Sequence, residues 1–386
     1  MFKVDANTFL ECIKRASVGA GKAYVLGISV QQSGDANGGQ VVQMGCINSS
    51  DGIKTGCSNP FPITSDDIKE NKTFYVSMNL LPAVECLSQK TDVILVKDKG
   101  SYLETSDPKE ECVIRVELLS QAINFEYPSD QESAVVVTCS RAKFVSAIRM
   151  GAYVASDKDN KVGNDCVAFR VDTTEKKMYV MSMSNVVSSR AAFDVDSVDD
   201  RTGKAPEWHM ANYKFIKRMA EHLTGDKVNI AFNPKVMMVC CDTGLYGTKK
   251  TDAIVPSMYE KLLNSTEYDF CGKVNKKSFL SGCDIVLVGS QSTGIQMETS
   301  EDGTLLIRSI GESNKATIAQ ISHEGSLMQN RYNSEFIKNV LCSTKEENFY
   351  YYGTSEKGSY KTILHFSGKS DDIAYAAIVA PIAKVD

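Results

Sequence analysis

The 386-residue sequence lacks the features of several protein classes. It has no apolar run long enough to cross a membrane and no basic-then-apolar segment at its N-terminus, so we expect a cytoplasmic protein that neither enters a membrane nor is secreted. Its 12 Cys include no Cys-x-x-Cys pair and lie mostly in apolar segments, which indicates buried thiols in a reducing compartment. The 4 His have no metal-ligand spacing, so we expect no metal and no cofactor.

Motifs of the common enzyme classes are also missing. The segment GAGK at residues 19–22 resembles part of a phosphate-binding loop, but Ala16 and Ala23 stand where Gly and Ser or Thr are required. There is no Gly-x-Ser-x-Gly, and no Cys has a recognisable His partner pattern. We therefore expect no enzymatic activity. One alternative stays open, an unrecognised active site that uses the carboxylates of residues 196–200 (DSVDD), although a solvated acidic loop explains them more simply.

What the sequence does contain is an internal repeat. Six segments share a strand-like apolar position, several polar residues that can cap a helix, and an aromatic residue or Leu followed by apolar residues at helical spacing. Their anchors are Phe9, Leu81, Phe144, Phe215, Phe279 and Phe336. Every second anchor is separated by 134 or 135 residues, except for a last interval of 121. The six segments therefore form three pairs.

Alternating apolar and polar residues fill the spaces between these segments, with turn signals such as Asp98-Lys99-Gly100. Each segment thus predicts one short helix followed by antiparallel strands. The predicted fold class is α+β, with three tandem similar domains of two half-repeats each. Segments near 125–134 and 254–268 are rich in Pro, Ser and acidic residues. We expect them to separate the domains, which places these at residues 1–130, 131–265 and 266–386.

The predicted helices differ in charge from the rest of the chain. The net charge is −5, but the six helix windows contain 15 Lys and Arg against 6 Asp and Glu, which leaves −14 for the remainder. In one explanation, each helix covers a sheet with its apolar face and leaves an ordinary solvated face. In the other, the basic faces form one surface for a polyanion. In the fourth helix, Lys217 and Arg218 lie opposite Phe215 and Met219, so burial of one face exposes the other.

The twelve basic residues of the first, third, fourth and fifth windows are the candidate phosphate contacts, which would give affinity for a polyanion without sequence choice. A solvated helix face explains any one of them equally well, and the interpretation depends on the whole set. They are Lys14, Arg15, Lys22, Arg141, Lys143, Arg149, Lys214, Lys217, Arg218, Lys273, Lys276 and Lys277.

The order and spacing of these features resemble the bacterial-type DNA sliding clamp, the beta subunit of DNA polymerase III. The resemblance covers essentially the whole chain, is distant in sequence, and depends on segments of which none is diagnostic alone. They are VDANTFLECIKRA from Val4, FEYP from Phe125, GLYGTKKTDAIVPSMYEKLL from Gly244, KSFLSGCDIVL from Lys277 and AYAAIVAPIAKVD from Ala374. The resemblance implies a head-to-tail homodimeric ring whose helices surround duplex DNA. The implied function is that of a nucleoid-associated processivity factor with a DNA polymerase and a clamp-loader ATPase as partners.

The resemblance also implies particular sites. Lys22 matches a DNA-contacting position, and the subunit interface would include Cys112, Ile114, Val286 and Leu287. An apolar cleft for the short peptides of polymerases, the loader and repair proteins would comprise Ser182, Val187, Pro256, Tyr259, Ile378, Val379, Pro381 and Ile382.

The chain departs from the family pattern at this cleft. Residues 184–187 are Ser-Asn-Val-Val where the family commonly has an Asp-Gly-His-Arg-Leu-like run, and Ala380 and Ile382 stand where Met is frequent. We therefore expect a different peptide preference. Two alternatives stay open: that IVAPI at residues 378–382 is only a last core strand, and that the protein is a monomeric polymerase accessory factor which binds DNA without closing a ring.

Overall fold

The computed structural model describes residues 1–18, 24–32, 39–48, 54–65, 71–119, 135–155, 165–201, 207–290, 292–311, 313–353 and 363–382. The helices of this part are α1 (Ala6–Ala16), α2 (Leu80–Ser88), α3 (Arg141–Gly151), α4 (Tyr213–His222), α5 (Ser257–Leu263), α6 (Lys276–Val286) and α7 (Ser334–Ser343). The strands are β1 (Phe2–Asp5), β2 (Tyr24–Gln32), β3 (Gln40–Asn48), β4 (Lys54–Ser58), β5 (Phe61–Ser65), β6 (Lys72–Ser77), β7 (Val93–Asp98), β8 (Tyr102–Ser106), β9 (Val113–Glu117), β10 (Val135–Ser140), β11 (Cys166–Asp172), β12 (Lys177–Met183), β13 (Val187–Asp194), β14 (Ser197–Asp200), β15 (His209–Asn212), β16 (Lys227–Phe232), β17 (Val236–Cys241), β18 (Gly244–Lys249), β19 (Phe270–Asn275), β20 (Gly294–Thr299), β21 (Thr304–Ser309), β22 (Lys315–Gly325), β23 (Gln329–Asn333), β24 (Asn348–Gly353), β25 (Leu364–Ser370) and β26 (Ile373–Val379).

The six predicted half-repeat helices are α1, α2, α3, α4, α6 and α7. All except α2 begin at the residue after a short strand. The first N–H of each of these five helices donates to the carbonyl just before the strand that pairs with the one preceding the helix, as from Ala6 to Asp92 at 2.9 Å and from Lys276 to Glu347 at 2.8 Å. This bond satisfies a helix N–H that has no partner inside the helix. Helix α5 lies outside the repeat and was not expected.

Strand pairing confirms that the half-repeats form three pairs. The strand before each helix lies antiparallel to the strand after the other helix of the same pair. In the first pair β1 joins β7 and β6 joins β2; in the second, β10 joins β16 and β15 joins β11; in the third, β19 joins β24 and β23 joins β20. The predicted fold class is therefore confirmed.

The chain divides into two compact units. The first contains residues 1–141, 197–203 and 214–250, and the second contains 142–196, 204–213 and 251–386. The middle predicted domain thus contributes to both units. The domain boundaries near residues 130 and 265 stay predictions, and the segment 125–134 lies outside the described residues.

The first unit contains a 14-stranded antiparallel sheet. Its order is β14-β10-β16-β17-β18-β4-β3-β5-β1-β7-β8-β9, with β2 lying between β3 and β6. Phe9 and Ile13 of α1 are fully buried in its core, and the Phe2 and Phe9 rings meet edge to face at 6.4 Å. At Gly56 on β4, a Cβ would lie 2.6 Å from the carbonyl oxygen of Arg15, so only glycine allows α1 to pack this closely.

The second unit contains a 12-stranded antiparallel sheet. Its order is β15-β11-β12-β13-β26-β25-β24-β19-β22-β21-β20-β23. On one face, here called the helix face, Phe169 meets Phe144 of α3, and Phe349 meets Phe279 of α6. The opposite, outer face of β11–β13 and β26 is covered by α5. Side chains alternate between the two faces along each strand. In the described part of the chain, no helix is both long and apolar enough to cross a membrane.

Candidate nucleic-acid interface and peptide-binding surface

The structure divides the predicted basic residues by exposure. Exposed side chains belong to Arg149, Lys214, Lys217, Arg218 and Lys277. In α4 the predicted amphipathic arrangement is confirmed, because Phe215, Ile216 and Met219 are buried while Lys217 and Arg218 are exposed.

Other basic residues are held by local bonds. The Nε of Arg141 donates to the carbonyl of Gly225 at 2.6 Å, and Lys14 pairs with Glu85 of α2 at 3.5 Å. Lys276 donates its Nζ to the carbonyl of Thr344 at 3.0 Å, at the C-terminal end of α7. Arg15 and Lys143 are half-buried, and Lys22 lies outside the described residues. The most exposed charges of the predicted set are therefore the five named first.

Lys273 needs a correction. It lies in β19, not in a helix, and alternates with Gly272 and Val274, which are buried on the helix face. Its Nζ sits 4.7 Å from the centre of the Tyr350 ring on the outer face of the sheet. Because the strand directs this side chain away from the helices, Lys273 does not belong to the basic helix surface.

Two strands lack the neighbour that one pairing rule gives to the equivalent strands elsewhere in the sheets. In the first unit β4, the third strand after α1, pairs with β18, the third strand after α4. In the second unit β13, the third strand after α3, pairs with β26, the third strand after α7. The two remaining third strands are β9, after α2, and β22, after α6. Among the described strands β9 pairs only with β8, and residues 315–319 of β22 pair only with β21.

Apolar side chains accompany both edges. In β9, Val113 is 42% exposed and Ile114 is half-buried, as is Cys112 just before the strand. At the end of α6, Ile285 is 59% and Val288 71% exposed.

The end of α6 is bound to the start of β22. The side-chain amide of Asn314 donates to the carbonyls of Val286 and Val288 at 3.3 and 3.1 Å. Val286 itself is fully buried in the core. Its side chain is therefore not available to a partner chain. The exposed apolar side chains at this edge are those of its neighbours Ile285 and Val288. Leu287 is half-buried.

The predicted cleft residues separate onto the two faces of the second unit's sheet. Ser182 is buried on the helix face, where its hydroxyl donates to the carbonyl of Gly151 at 2.6 Å. Val187 and Val379 are 2% and 0% exposed in the same core. These three side chains therefore do not line an open cleft, because strand alternation directs them inward. Val379 therefore fits the alternative in which residues 378–382 begin as the last strand of the core.

The remaining predicted cleft residues lie near α5 or in the tail. Tyr259 of α5 packs against the buried cluster that contains Ile378, Pro256 is exposed at the helix start, and Pro381 and Ile382 are half-buried. Burial raises the pKa of the Tyr259 hydroxyl. That hydroxyl donates to the carbonyl of Ser184 at 2.8 Å.

The turn before β13 links α5 to the tail. Tyr259 bonds the turn from α5, and the N–H of Ala380 donates to the carbonyl of Val186 at 2.8 Å. Val186, Ile254 and Met258 are 42%, 82% and 57% exposed. We call these three residues the apolar surface. In the sequence these residues lie within two positions of the predicted cleft residues Val187, Pro256 and Tyr259.

A cationic and aromatic cluster adjoins this surface, and sequence reasoning missed it. Arg170 lies 4.7 Å from the Trp208 ring and 5.0 Å from the Tyr179 ring, and its Nη1 donates to Glu260 of α5 at 2.6 Å. The guanidinium of Arg190 lies 5.5 Å from the same Tyr179 ring. We call these five residues the arginine cluster.

Part of this cluster could have been found from the sequence. Alternation along β11, β12 and β13 places Arg170, Tyr179 and Arg190 on one face. The contribution of Trp208 and Glu260 needed the fold, because Glu260 is in the unexpected helix α5.

The acidic segment of residues 196–200 contains the whole of the short strand β14, and its Asp199 pairs with Arg201 at 2.9 Å. Within the described ranges, no group of three or more His, Cys, Asp or Glu is placed to hold a metal ion.

The fold is that of the DNA clamps. It is similar to the DNA polymerase III beta subunit of Thermotoga maritima, with a TM-score of 0.75, 14% identity and 100% of both chains covered. The Helicobacter pylori beta clamp bound to a DNA ligase peptide has a TM-score of 0.77 and 14% identity, with 99% of this chain and 100% of that chain covered. The corresponding subunit of Pseudomonas aeruginosa has a TM-score of 0.76 and 14% identity, with 99% of this chain and 100% of that chain covered. No family model and no curated protein sequence matches the chain.

Proposed function

We propose that the protein is a DNA sliding clamp, a homodimeric ring that encircles duplex DNA and tethers a replicative DNA polymerase in the cytoplasm. The observation that carries this proposal is the pair of complementary free edges, β9 and β22. Within one chain, third strands after the helices pair with each other, β4 with β18 and β13 with β26. The same rule applied to the two remaining third strands joins β22 of one copy to β9 of the next. Two copies joined in this way leave neither edge open, which also removes a site for aggregation.

The apolar side chains at the two edges support this closure. Val113 lies at one edge, and Ile285 and Val288 lie beside the other, so pairing would bury apolar surface along with the strand hydrogen bonds. An isolated chain would expose these groups.

The charge distribution supports a DNA partner. The exposed basic residues Lys214, Lys217 and Arg218 of α4, Arg149 of α3 and Lys277 of α6 would contact phosphates without reading bases. A closed ring retains DNA by topology, so these contacts can remain weak and allow sliding. The proposed protein acts by binding alone, with no catalytic step, and a clamp-loader ATPase would open the ring.

The apolar surface supports the binding of partner peptides. A solved clamp with this fold holds a DNA ligase peptide, and Val186, Ile254 and Met258 offer exposed apolar side chains beside the predicted cleft. Short peptides of the polymerase, the loader and other proteins would dock there through two or three apolar side chains.

Solution mass tests ring closure. Light scattering at low micromolar concentration should give about twice the 42.3 kDa chain mass. Ile285→Asp should convert the dimer to a folded monomer, because it places a charge at the exposed edge. Lys249→Asp, an exposed change in β18, is the matched control and should leave the dimer intact. A stable monomer for the unmodified chain would replace the ring with the monomeric accessory factor.

Retention on DNA tests the topology. After loading, the protein should stay on a closed circular plasmid in high salt and leave when the plasmid is linearised. Equal loss from circular and linear DNA would contradict encirclement.

A further inference from the structure

The arginine cluster contains an uncompensated positive charge. Glu260 lies 2.6 Å from Arg170 and also accepts a hydrogen bond from the Trp208 indole at 2.8 Å. Arg190 is half-buried, and among the described residues its guanidinium has no carboxylate or carbonyl within hydrogen-bond distance, only the Tyr179 ring. Buried or partly buried charges in proteins are normally paired, since burial removes their hydration. Burial accordingly lowers the pKa of Arg190.

The cluster is continuous with the apolar surface. Arg190 pairs with Ala376 in the β13–β26 ladder, and Ser188 pairs with Ile378, which packs beneath α5. Glu260 follows Tyr259 in α5, and the hydroxyl of Tyr259 donates to the turn that carries Val186. Val186 lies in the turn just before β13, and three steps of extended strand separate Val187 from Arg190, roughly 10 Å at about 3.3 Å per residue.

The charge of the cluster favours one anionic group over a polyanion. The cluster contains two guanidinium groups and one carboxylate, which pairs with Arg170, so it has an excess of one positive charge. At the far end of β13, Asp194 is exposed and would repel a phosphate chain. A carboxylate fits the planar, forked donors of an arginine, which bind it through two parallel hydrogen bonds.

We propose that Arg190, supported by Tyr179 and Arg170, binds an Asp or Glu side chain of the peptides that dock on the apolar surface. The acidic residue lies three to five positions from the apolar residues of the peptide, as the spacing along β13 requires. This inference rests on the proposed function and specifies which partner peptides the protein prefers. It assigns specificity to residues outside the predicted cleft.

Fluorescence anisotropy with the full chain tests the proposal. The probes are labelled ten-residue peptides with a fixed Leu-Phe pair and one Glu placed two to six positions away, each compared with its Gln counterpart. At one or two positions the Glu peptide should bind about tenfold more tightly, which is the size of one good charge-assisted bond. Arg190→Gln should abolish that gain and leave the affinity of the Gln peptides unchanged.

Two controls make the result specific. Lys177→Gln removes a neighbouring cation that already pairs with Glu175 at 3.0 Å, and it should preserve the gain. Arg190→Lys keeps the charge without the fork and should retain part of the gain, which also provides a second variant if the Gln variant does not fold.

Several outcomes would overturn the inference: equal affinities of the Glu and Gln peptides at every position, a gain that survives Arg190→Gln, or no binding by either series. Displacement of the Glu peptide by oligo(dT), lost in Arg190→Gln, would identify a phosphate ligand instead. Solution mass and retention on circular DNA are measured independently, so failure of this inference is distinguishable from failure of the sliding-clamp proposal.

Discussion

The two faces of the second unit's sheet differ although the same strands form both. On the helix face, Val187 and Val379 are buried among the side chains of α6 and α7. On the outer face, Ile378 is covered by α5, while Val186, Ile254 and Met258 remain exposed. Adjacent residues therefore serve different purposes, one stabilising the fold and the other facing α5 or solvent. The end of α6 repeats this contrast, with Val286 buried and Ile285 exposed.

The largest expected effect separates the two neighbours at the start of β13. Val187→Asp should lower the free energy of unfolding by more than about 4 kcal/mol, because it buries an unpaired carboxylate. Val186→Asp should change it by less than about 0.5 kcal/mol and yet weaken peptide binding. Chemical denaturation of both variants measures the difference. Similar stability losses would mean that the two side chains are equally buried.

A buried histidine on the outer face, His365, should make the free energy of unfolding depend on pH. Burial lowers the pKa of His365 from 6.5 to about 4. Between these values the unfolded chain binds a proton that the folded chain does not, so stability is complete above about pH 6.5 and falls towards pH 4. The loss from this group approaches about 3 kcal/mol at the lower end.

Chemical denaturation at pH 7 and pH 4.5 checks this dependence. In His365→Gln, the part of the pH dependence that this residue contributes should disappear. An unchanged difference between the two pH values would contradict a buried, neutral His365.

A smaller effect is expected at the basic surface of α4. Replacing Lys217 and Arg218 by Ser should weaken DNA association. The slope of the logarithm of the association constant against the logarithm of the salt concentration should become shallower by about 2, because two phosphate contacts are lost. Binding titrations from low to moderate salt provide the slope. Lys249→Ser in β18 is the matched control with an exposed lysine outside the helices. A slope that does not change would remove Lys217 and Arg218 from the DNA-binding surface.

The smallest effect distinguishes two adjacent lysines at the start of α6. Lys276→Met should cost about 1 kcal/mol, because it removes the hydrogen bond to the carbonyl of Thr344 at the end of α7. Lys277→Met should leave stability unchanged and weaken DNA binding. Thermal unfolding and DNA titration of both variants test this assignment, and an exchange of the two phenotypes would reverse it.

Much of the fold could be predicted from the sequence because its signals are local. The spacing of Phe9, Phe144 and Phe279 marks equivalent helices, and the polar residues before them cap those helices, as Asp5 does for Thr8 and Asn275 for Ser278. Helix α5 was not predicted, since its seven residues lie in a segment interrupted by Pro256 and by polar residues.

The candidate sites were less predictable. Lys273 has the composition of a basic helix window but lies in a strand, where alternation turns it to the opposite face. Arg190 resembles any strand cation in the sequence, and only the tertiary structure shows that Glu260 pairs with Arg170 while Arg190 lies against the Tyr179 ring.

The sequence by itself determined the number of half-repeats, the helices that carry positive charge and the apolar residues of the core, because periodicity and charge are properties of neighbouring residues. The tertiary structure decided which strands remain at a sheet edge, which of two adjacent residues is exposed and which charge lacks a partner. Those properties depend on pairing between strands far apart in the chain, for which a single sequence contains no local signal.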